Sequence, residues 1–321
     1  PGADPWHAVI TPWQHEFHKL MGNGNAAMFN EKFRLYFTKE NFDLFYPSYG
    51  DTWPLFNGSI GFTYEQSGGG SSGLAFELES GDTLTLAERI DGHYTATLAT
   101  LKVSYDNREK LLTEFNKYFE ESRNNPSSKY KSVIIKKGTD NETLRDLFRL
   151  LDNNQVKYSI ATGSLNKLKG FDYSLNADAE FSVEKGDILI SSYQPQSKFI
   201  EVLFEPDSKI TDSLSYDLTA WSLPYVYNLK AFATAEKVTA DTVSLRLPVY
   251  EPVADNKCYA YISSFTGFAE IKLMASLLKK GIKFRYALKP FKMGGKDYNR
   301  GSIIITRGDN KITAQDFDVK V

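Results

Sequence analysis

A change of pattern at residues 124–128 constrains the fold of this chain more than any other feature of its sequence. These residues, Asn-Asn-Pro-Ser-Ser, are its clearest linker, because asparagine, proline and serine favour turns over regular elements. Before the linker, apolar residues recur at helical spacing in three segments, 12–35, 84–101 and 107–123. The first segment contains Gly-Asn-Gly at residues 22–24, so we expect a break there between two helices.

After the linker, the pattern becomes an alternation of strands and helices. Strands are expected at 132–136, 156–160, 186–191, 258–263, 282–287 and 301–306, and helices at 139–153, 196–203 and 267–280. Such alternation predicts a parallel or mostly parallel α/β sheet. The order of elements resembles the three-layer flavodoxin-like and class I glutamine amidotransferase-like folds. We therefore expect two domains, residues 1–125 and residues 129–321, of which the second is a flavodoxin-like α/β domain.

The composition narrows the class of protein. Apolar residues make up 41% of the chain and charged residues 24%, which is typical of a globular rather than a disordered protein. The net charge of −2 does not indicate a nucleic-acid partner. No apolar run approaches the ~18 residues that a membrane span needs. Cys258 is the only cysteine, which excludes an internal disulfide framework and a cysteine metal cluster.

Residues 45–65 are the most informative stretch for chemistry. They include three tyrosines and three glycines, and they end on Glu65. Residues 60–64, Ile-Gly-Phe-Thr-Tyr, have the composition of a buried strand, and the glycine-rich residues 67–73 follow soon after Glu65. A glutamate between a strand end and a flexible loop suits a general base at the edge of a cleft better than it suits a core.

This stretch resembles the zinc carboxypeptidases of the carboxypeptidase A type, and among them a bacterial branch with a long C-terminal extension. The resemblance covers the first third of the chain and implies that it begins with the C-terminal part of a carboxypeptidase-like α/β domain. By this resemblance Glu65 matches the glutamate that activates a zinc-bound water. Tyr46 or Tyr49 matches the tyrosine that closes over the substrate. Tyr64 and Trp53 are the expected substrate-binding residues.

Glu77 is the second candidate for the general base. Its context, Phe-Glu-Leu, also resembles the family, but its distance from the next predicted helix fits less well than that of Glu65. A structural role for Glu65 would be to cap a turn or to pair with an arginine such as Arg89. The neighbouring strand, glycine loop and tyrosine loop favour the catalytic role.

The family's zinc ligands, a His-x-x-Glu pair and a later histidine, have no counterpart here. The histidines are His7, His15, His18 and His93, and none is followed by glutamate at the third position. His15 and His18 can share a helix face, but no third ligand accompanies them. The resemblance therefore implies the C-terminal portion of a longer zinc enzyme. We expect zinc in that longer protein, no metal site in this chain, and no activity of the chain alone.

The expected second domain has no evident catalytic residues. A cysteine nucleophile needs a tight strand–helix turn and a nearby histidine, whereas Cys258 begins a strand and no histidine follows His93. Residues 129–321 contain no Gly-x-Gly-x-x-Gly motif that would indicate a nucleotide site. Four residues could line a groove, although we favour structural roles for them: Tyr193, Gln194, Asp217 and Trp221.

The leading hypothesis is a secreted or periplasmic zinc metallocarboxypeptidase that removes C-terminal residues from peptides, including cell-wall peptides. The alternative is a non-catalytic protein that uses a degenerate peptidase scaffold to bind a peptide or glycan in an aromatic groove. A His-x-x-Glu pair and a later histidine upstream of residue 1 would favour the enzyme.

Overall fold

The computed structural model describes residues 2–40, 42–66, 72–139, 141–210, 221–239, 242–243, 258–265, 267–313 and 317. The chain forms two compact units. Unit 1 comprises residues 1–136 and 154–243, and unit 2 comprises residues 137–153 and 244–321. This division differs from the sequence-based boundary at 125–129, because the strand that follows the linker belongs to the main sheet of unit 1.

The longer helices lie close to the positions that the sequence predicts. The helices are Pro12–Glu31 (α1), Thr52–Phe56 (α2), Leu86–Asp106 (α3), Arg108–Asn124 (α4), Asn141–Asn153 (α5), Ser197–Phe204 (α6), Leu223–Val226 (α7) and Phe268–Lys279 (α8). Capping boxes at Thr11 and Thr85 begin α1 and α3, so two free backbone N–H groups are satisfied at each start. Within the part of the chain that the structure describes, no helix is long and apolar enough to cross a membrane.

Helix α1 runs without a break through the two glycines at which we expected one, so that prediction is wrong. The reason lies in the packing of α1 against α3. A Cβ atom added at Gly24 would lie 2.3 Å from Cγ2 of Val103 on α3. The glycine therefore permits a close approach of two helices, and the surrounding contacts outweigh its low helix propensity.

The strands are short and numerous. They are Ala3–Trp6 (β1), Asp43–Leu44 (β2), Phe76–Glu77 (β3), Thr83–Leu84 (β4), Ser132–Ile135 (β5), Ser159–Ala161 (β6), Leu165–Asp172 (β7), Ala177–Val183 (β8), Ile188–Ser191 (β9), Ala231–Thr234 (β10), Thr242–Val243 (β11), Ala260–Ser263 (β12), Arg285–Tyr286 (β13), Phe291–Met293 (β14), Lys296–Tyr298 (β15) and Ile303–Thr306 (β16).

The main sheet of unit 1 has the strand order β11-β6-β9-β5-β10-β7-β8, and each neighbouring pair is antiparallel. The chain is thus mixed α/β, as expected, but the prediction of a parallel sheet is wrong for this sheet. The difference comes from the hairpin β7–β8 and the returning strand β10, which the sequence analysis did not identify. Asp172 holds the hairpin turn, because its Oδ1 accepts a 2.7 Å hydrogen bond from the backbone N–H of Ser174.

One side of this sheet carries a cluster of buried apolar side chains. The cluster consists of Ile134, Ala161, Phe181, Val183, Leu189 and Phe232. Its members come from strands β6, β9, β5, β10 and β8, and the rings of Phe181 and Phe232 stack 4.5 Å apart. Contacts between distant parts of the sequence therefore hold the sheet together.

Unit 2 has its own small core. Strands β12, β16 and β13 form an antiparallel sheet, and the buried residues Leu277, Ile282, Ile303, Ile305 and Phe317 pack together. The predicted inner face of α5 is confirmed, since four of its residues are buried: Leu144, Leu147, Phe148 and Leu151.

Residues 60–66 have no regular secondary structure, so the strand predicted at residues 60–64 is wrong. Contacts with Asp51 hold this segment instead. Thr63 donates a 2.6 Å hydrogen bond to Oδ2 of Asp51, and a Cβ atom at Gly61 would lie 2.0 Å from the Asp51 carbonyl oxygen. Gly61 therefore allows two backbone segments to approach closely and is not part of a strand.

A glycine in β7 should be sensitive to substitution. A Cβ atom at Gly170 would lie 2.3 Å from the carbonyl oxygen of Ala233 on β10, so an added methyl group must displace paired backbone. We expect Gly170→Ala to lower the free energy of unfolding by ~1–3 kcal/mol, the usual cost of overpacking. Gly163→Ala is the control, since no atom lies within 4 Å of its added Cβ. Equal stability of the two variants in urea would contradict the pairing of β7 with β10.

Candidate functional site

The residues that the resemblance assigns to catalysis lie near the surface of unit 1. Glu65 is exposed, and no described residue forms a hydrogen bond or an ion pair with its side chain. The rings of Tyr46 and Tyr49 meet edge to face, with centroids 5.3 Å apart. Tyr46 also contacts Trp221, at 5.7 Å between centroids. The structure thus brings the two candidate tyrosines together and adds a tryptophan to them.

The two expected substrate-binding residues are already hydrogen-bonded within unit 1. The hydroxyl of Tyr64 lies 2.9 Å from Oγ1 of Thr100 and accepts a 3.2 Å bond from Nδ2 of Asn25. Nε1 of Trp53 donates a 2.9 Å bond to Oδ1 of Asn154. Both aromatic rings are partly exposed. Glu77, the second candidate base, is exposed on the β3–β4 hairpin.

Two further sequence-based assignments concern metals and polar residues. Among the described residues, no group of three His, Cys, Asp or Glu side chains could hold a metal ion. The structural role favoured for Gln194 is confirmed, because its amide bonds the backbone N–H and carbonyl of Lys157 and the carbonyl of Ser191. Asp217 lies outside the described residues.

Unit 1 contains a cleft of about 1270 Å³. All residues that line it belong to unit 1, and they come from α1, α3, α4, α6, the main sheet and the segments that connect these elements. This volume exceeds the ~300–1,000 Å³ of typical small-molecule pockets. The cleft therefore has room for an extended ligand. None of the five residues assigned from the resemblance lines it.

One wall of the cleft is apolar. Trp13, Phe17 and Met21 lie along α1 at spacings of four residues, which places them on one helix face. Phe62 lies within 6.2 Å of Phe17, measured between ring centroids, and Phe115 comes from α4. Such aromatic surfaces favour contact with apolar groups of an organic ligand.

The charged wall of the cleft comes from α6. Six residues of this helix face the protein interior: Ser197, Phe199, Ile200, Val202, Leu203 and Phe204. Lys198 and Glu201 are three residues apart, and Glu205 follows four residues later at the helix end, so the three side chains share a face that lines the cleft. The apolar face thus fixes the helix and points these charges into the cleft.

Glu201 is the least satisfied ionisable group of this wall. Burial raises the pKa of its carboxyl above the ordinary value, although the nearby Lys198 ammonium opposes this shift. No described residue donates a hydrogen bond to the Glu201 carboxylate. A partly buried carboxylate without a donor is a strong attractor for a ligand cation.

Lys198 contacts residues on the opposite side of the cleft. Its Nζ donates a 3.1 Å hydrogen bond to Oγ of Ser127 and lies 5.9 Å from the ring centre of Tyr118. Burial lowers the pKa of the Lys198 ammonium. The hydroxyl of Tyr118 donates a 2.7 Å bond to the carbonyl of Phe56. Burial also raises the pKa of the Tyr118 phenol, which keeps it neutral.

Glu205 differs from Glu201 because two neighbours hold it. Its Oε1 lies 2.8 Å from Nε2 of His7 and accepts a hydrogen bond from Oγ of Ser208. Nδ1 of His7 accepts a 3.3 Å bond from the backbone N–H of Val9, so the neutral imidazole carries its proton on Nε2 and donates it to Glu205. His7 is buried, with 2% of its surface exposed. Glu205 is therefore a fixed acceptor, whereas Glu201 is open to a ligand.

Local sequence patterns do not indicate this site. The segment 196–203 was predicted as a helix, but Lys198, Glu201 and Glu205 match no catalytic motif. Their one sequence indication is their spacing of three and four residues on an otherwise apolar helix. That spacing is also common on solvent-facing helix surfaces, so only the surrounding cleft distinguishes it.

Comparisons of this chain with protein-family models, curated proteins and solved structures found no match.

Proposed function

We propose that unit 1 binds a peptide-like ligand with an apolar part and a positive charge in the cleft lined by α1, α4 and α6. The observation that carries this proposal is the carboxylate of Glu201, which faces a large cleft without a hydrogen-bond donor from the described residues. The size of the cleft favours a ligand longer than a single amino acid.

The two walls of the cleft suggest how such a ligand would be held. Apolar side chains of a peptide would pack on Trp13 and Phe62, whose rings are partly exposed and are backed by the buried Phe17, so they lose little conformational freedom on binding. An ammonium group, from a lysine or from a free N-terminus, would pair with Glu201. The apolar contacts would supply affinity, and the carboxylate would orient the ligand.

The cleft is lined by charges of both signs. Its lining includes six carboxylates, those of Glu114, Glu121, Asp178, Glu201, Glu205 and Asp207, and four lysines, Lys117, Lys129, Lys198 and Lys209. The carboxylate of Glu114 forms an ion pair with Lys110, with 2.8 Å between Oε1 and Nζ. The carboxylate of Glu205 is hydrogen-bonded to His7. Setting these two aside leaves four acidic groups and four lysines, so the lining is balanced overall and the preference for a cation rests on the open carboxylate of Glu201.

We expect Glu201→Gln to weaken binding of a lysine-containing apolar peptide by tenfold or more. A hydrogen bond to a charged group contributes ~1.5–3 kcal/mol, and ~1.4 kcal/mol corresponds to tenfold in Kd. Isothermal titration calorimetry measures this loss. Glu180→Gln is the matched control, because Glu180 is exposed and lies outside the cleft lining.

A second peptide, with norleucine in place of lysine, tests the ligand side of the same contact. It should bind wild type and Glu201→Gln alike. Because the pKa of Glu201 is raised, affinity for the lysine peptide should fall on acidification already above the ordinary glutamate range. Equal affinity of wild type and Glu201→Gln for the lysine peptide would contradict the proposal, as would no binding of either peptide.

The zinc carboxypeptidase activity that the resemblance implies is a separate proposal for a longer protein. It rests on residues 45–65 and assigns the general base to Glu65, with zinc ligands contributed by residues outside this chain. Release of a C-terminal residue by that longer protein, measured with and without a chelator, is its test. A peptide substrate would agree with the ligand class proposed for the cleft.

A further inference from the structure

Helix α3 carries a long apolar stripe on its outer surface. The stripe consists of Leu86, Ile90, Tyr94, Leu98, Leu101 and Tyr105, and between 39% and 67% of each residue is exposed. The spacings of three and four residues keep these side chains on one face over the whole helix. Soluble monomers rarely expose apolar patches beyond a few hundred Å², so such a stripe indicates an interaction surface.

The opposite face of α3 packs against α1 within unit 1. Apart from Arg89, its buried residues are small, including Gly92, Ala96 and Ala99, and Val103 lies against Gly24 of α1. At 100° per residue, the centre of this face points away from the centre of the stripe. The stripe residues are therefore distinct from the residues through which α3 packs against α1. It also lies outside the cleft lining, so this inference is independent of the proposed ligand.

Segments on both sides of α3 extend the apolar surface. On one side, Asp91 of α3 forms 2.9 and 2.8 Å ion pairs with Lys32 and Arg34. On the other side, Arg89 donates hydrogen bonds to the carbonyl oxygens of Ser72 and Leu74. These two segments carry further apolar residues with large exposed fractions: Phe33 at 96%, Leu35 at 99%, Phe37 at 68%, Leu74 at 71% and Phe76 at 44%.

We propose that the stripe of α3 is the interface with a second copy of this chain, in which two α3 helices pack antiparallel across a two-fold axis between Tyr94 and Leu98. Leu86, Ile90, Tyr94 and Leu98 form a ridge at intervals of four residues. Such ridges interdigitate with identical ridges at a crossing angle of about −50°. A two-fold pair uses the same patch twice, and it is the commonest form of oligomer.

The area of this surface fits a second copy, and the stripe itself is uncharged. With aromatic side chains contributing ~150–250 Å² each when fully exposed, the stripe and the two flanking segments approach the ~800 Å² per partner of a stable interface. No stripe position carries a charge. The charges at the edge of the stripe are paired within the chain, Asp91 with Lys32 and Arg34 and Lys102 with Asp106, so a second copy can cover the apolar stripe without burying an unpaired charge.

Sedimentation velocity of the chain over a range of concentrations tests this proposal. We expect a species of twice the 36.3 kDa chain mass, and Leu98→Glu should sediment as a single chain at the same concentration. Leu175→Glu is the matched control, because Leu175 is 67% exposed on the β7–β8 turn, away from α3. Ile90→Lys is a second interface variant, and circular dichroism checks that each variant is folded.

Four outcomes would overturn the proposal. They are a wild-type chain that stays monomeric, a dimer that survives in both interface variants, an open-ended series of larger species, and loss of the dimer in Leu175→Glu. A monomer that cosediments with phosphatidylcholine vesicles through the stripe would identify a lipid surface as the occupant instead.

Discussion

Replacing Asp187 by alanine is expected to lower the free energy of unfolding of unit 1 by ~3–5 kcal/mol, the usual cost of removing one partner of a buried ion pair. Asp187 is fully buried at the start of β9, and it accepts hydrogen bonds from Nζ of Lys136 and from the backbone N–H of Glu184. The side chain of Lys136 is only 13% exposed. The alanine variant leaves that ammonium in the interior with one acceptor fewer, which is why the cost is large.

Urea unfolding followed by tryptophan fluorescence measures this change selectively. All four tryptophans, Trp6, Trp13, Trp53 and Trp221, belong to unit 1, so the signal reports that unit. Asp187→Asn should be milder, since its amide oxygen can still accept the bond from Glu184. The double variant Lys136→Met with Asp187→Leu should recover stability relative to Asp187→Ala, because no charge is left unpaired. A loss below ~1 kcal/mol for Asp187→Ala would contradict the buried pair.

Ile134→Ala is expected to cost ~2–5 kcal/mol, the range for truncating a fully buried aliphatic side chain. Ile134 lies in β5, with strands on both sides, and none of its surface is exposed. Its side chain packs in the cluster with Phe181, Val183 and Phe232, which come from β8 and β10. The cost arises both from lost burial and from the cavity that these rigid neighbours cannot close.

Two comparisons make the Ile134 prediction specific. Ile134→Val should cost only ~0.5–1.5 kcal/mol, because one methylene is removed. Leu175→Ala, at a side chain that is 67% exposed, should stay within about 0.5 kcal/mol of wild type. If Ile134→Ala were as mild as Leu175→Ala, the antiparallel sheet would not be the core of unit 1.

Local sequence patterns predicted the positions of many elements but not the pairing of the strands. Helices α4 and α5 and strands β5 and β9 lie close to their predicted positions, since each combines a helical stripe or an apolar run with nearby turn residues. The hairpin β7–β8 was missed, because charged residues such as Lys167, Lys169 and Glu180 interrupt its apolar pattern. Without that hairpin, the remaining elements read as alternating strands and helices and therefore suggested a parallel sheet.

Packing partners explain the other differences between prediction and structure. The break expected in α1 does not occur, because Gly24 serves the approach of Val103. The apolar stripe of α3 was visible in the sequence, yet the structure leaves it on the outer surface. Periodicity identifies an apolar face but does not identify what covers it.

The cleft could not have been predicted from sequence, because its residues come together only in the folded chain. The residues around Glu201 lie far apart in the chain, from Trp13 of α1 to Glu205 beyond α6. Residues 45–65 have an unusual local composition, with three tyrosines and three glycines before Glu65. The cleft residues have no such local signature in the sequence. A carboxylate becomes a candidate for binding only when burial and the absence of a donor are known.

A titration of the Glu201 side-chain carboxyl by ¹³C nuclear magnetic resonance, with and without the lysine peptide, tests the central claim most directly. The Glu201→Gln variant assigns the resonance. The account predicts a pKa above that of an ordinary glutamate in the free chain, because burial disfavours the charged form. The peptide should lower this pKa, because a bound ammonium stabilises the carboxylate. A pKa that is ordinary in the free chain and unchanged by the peptide would contradict the account.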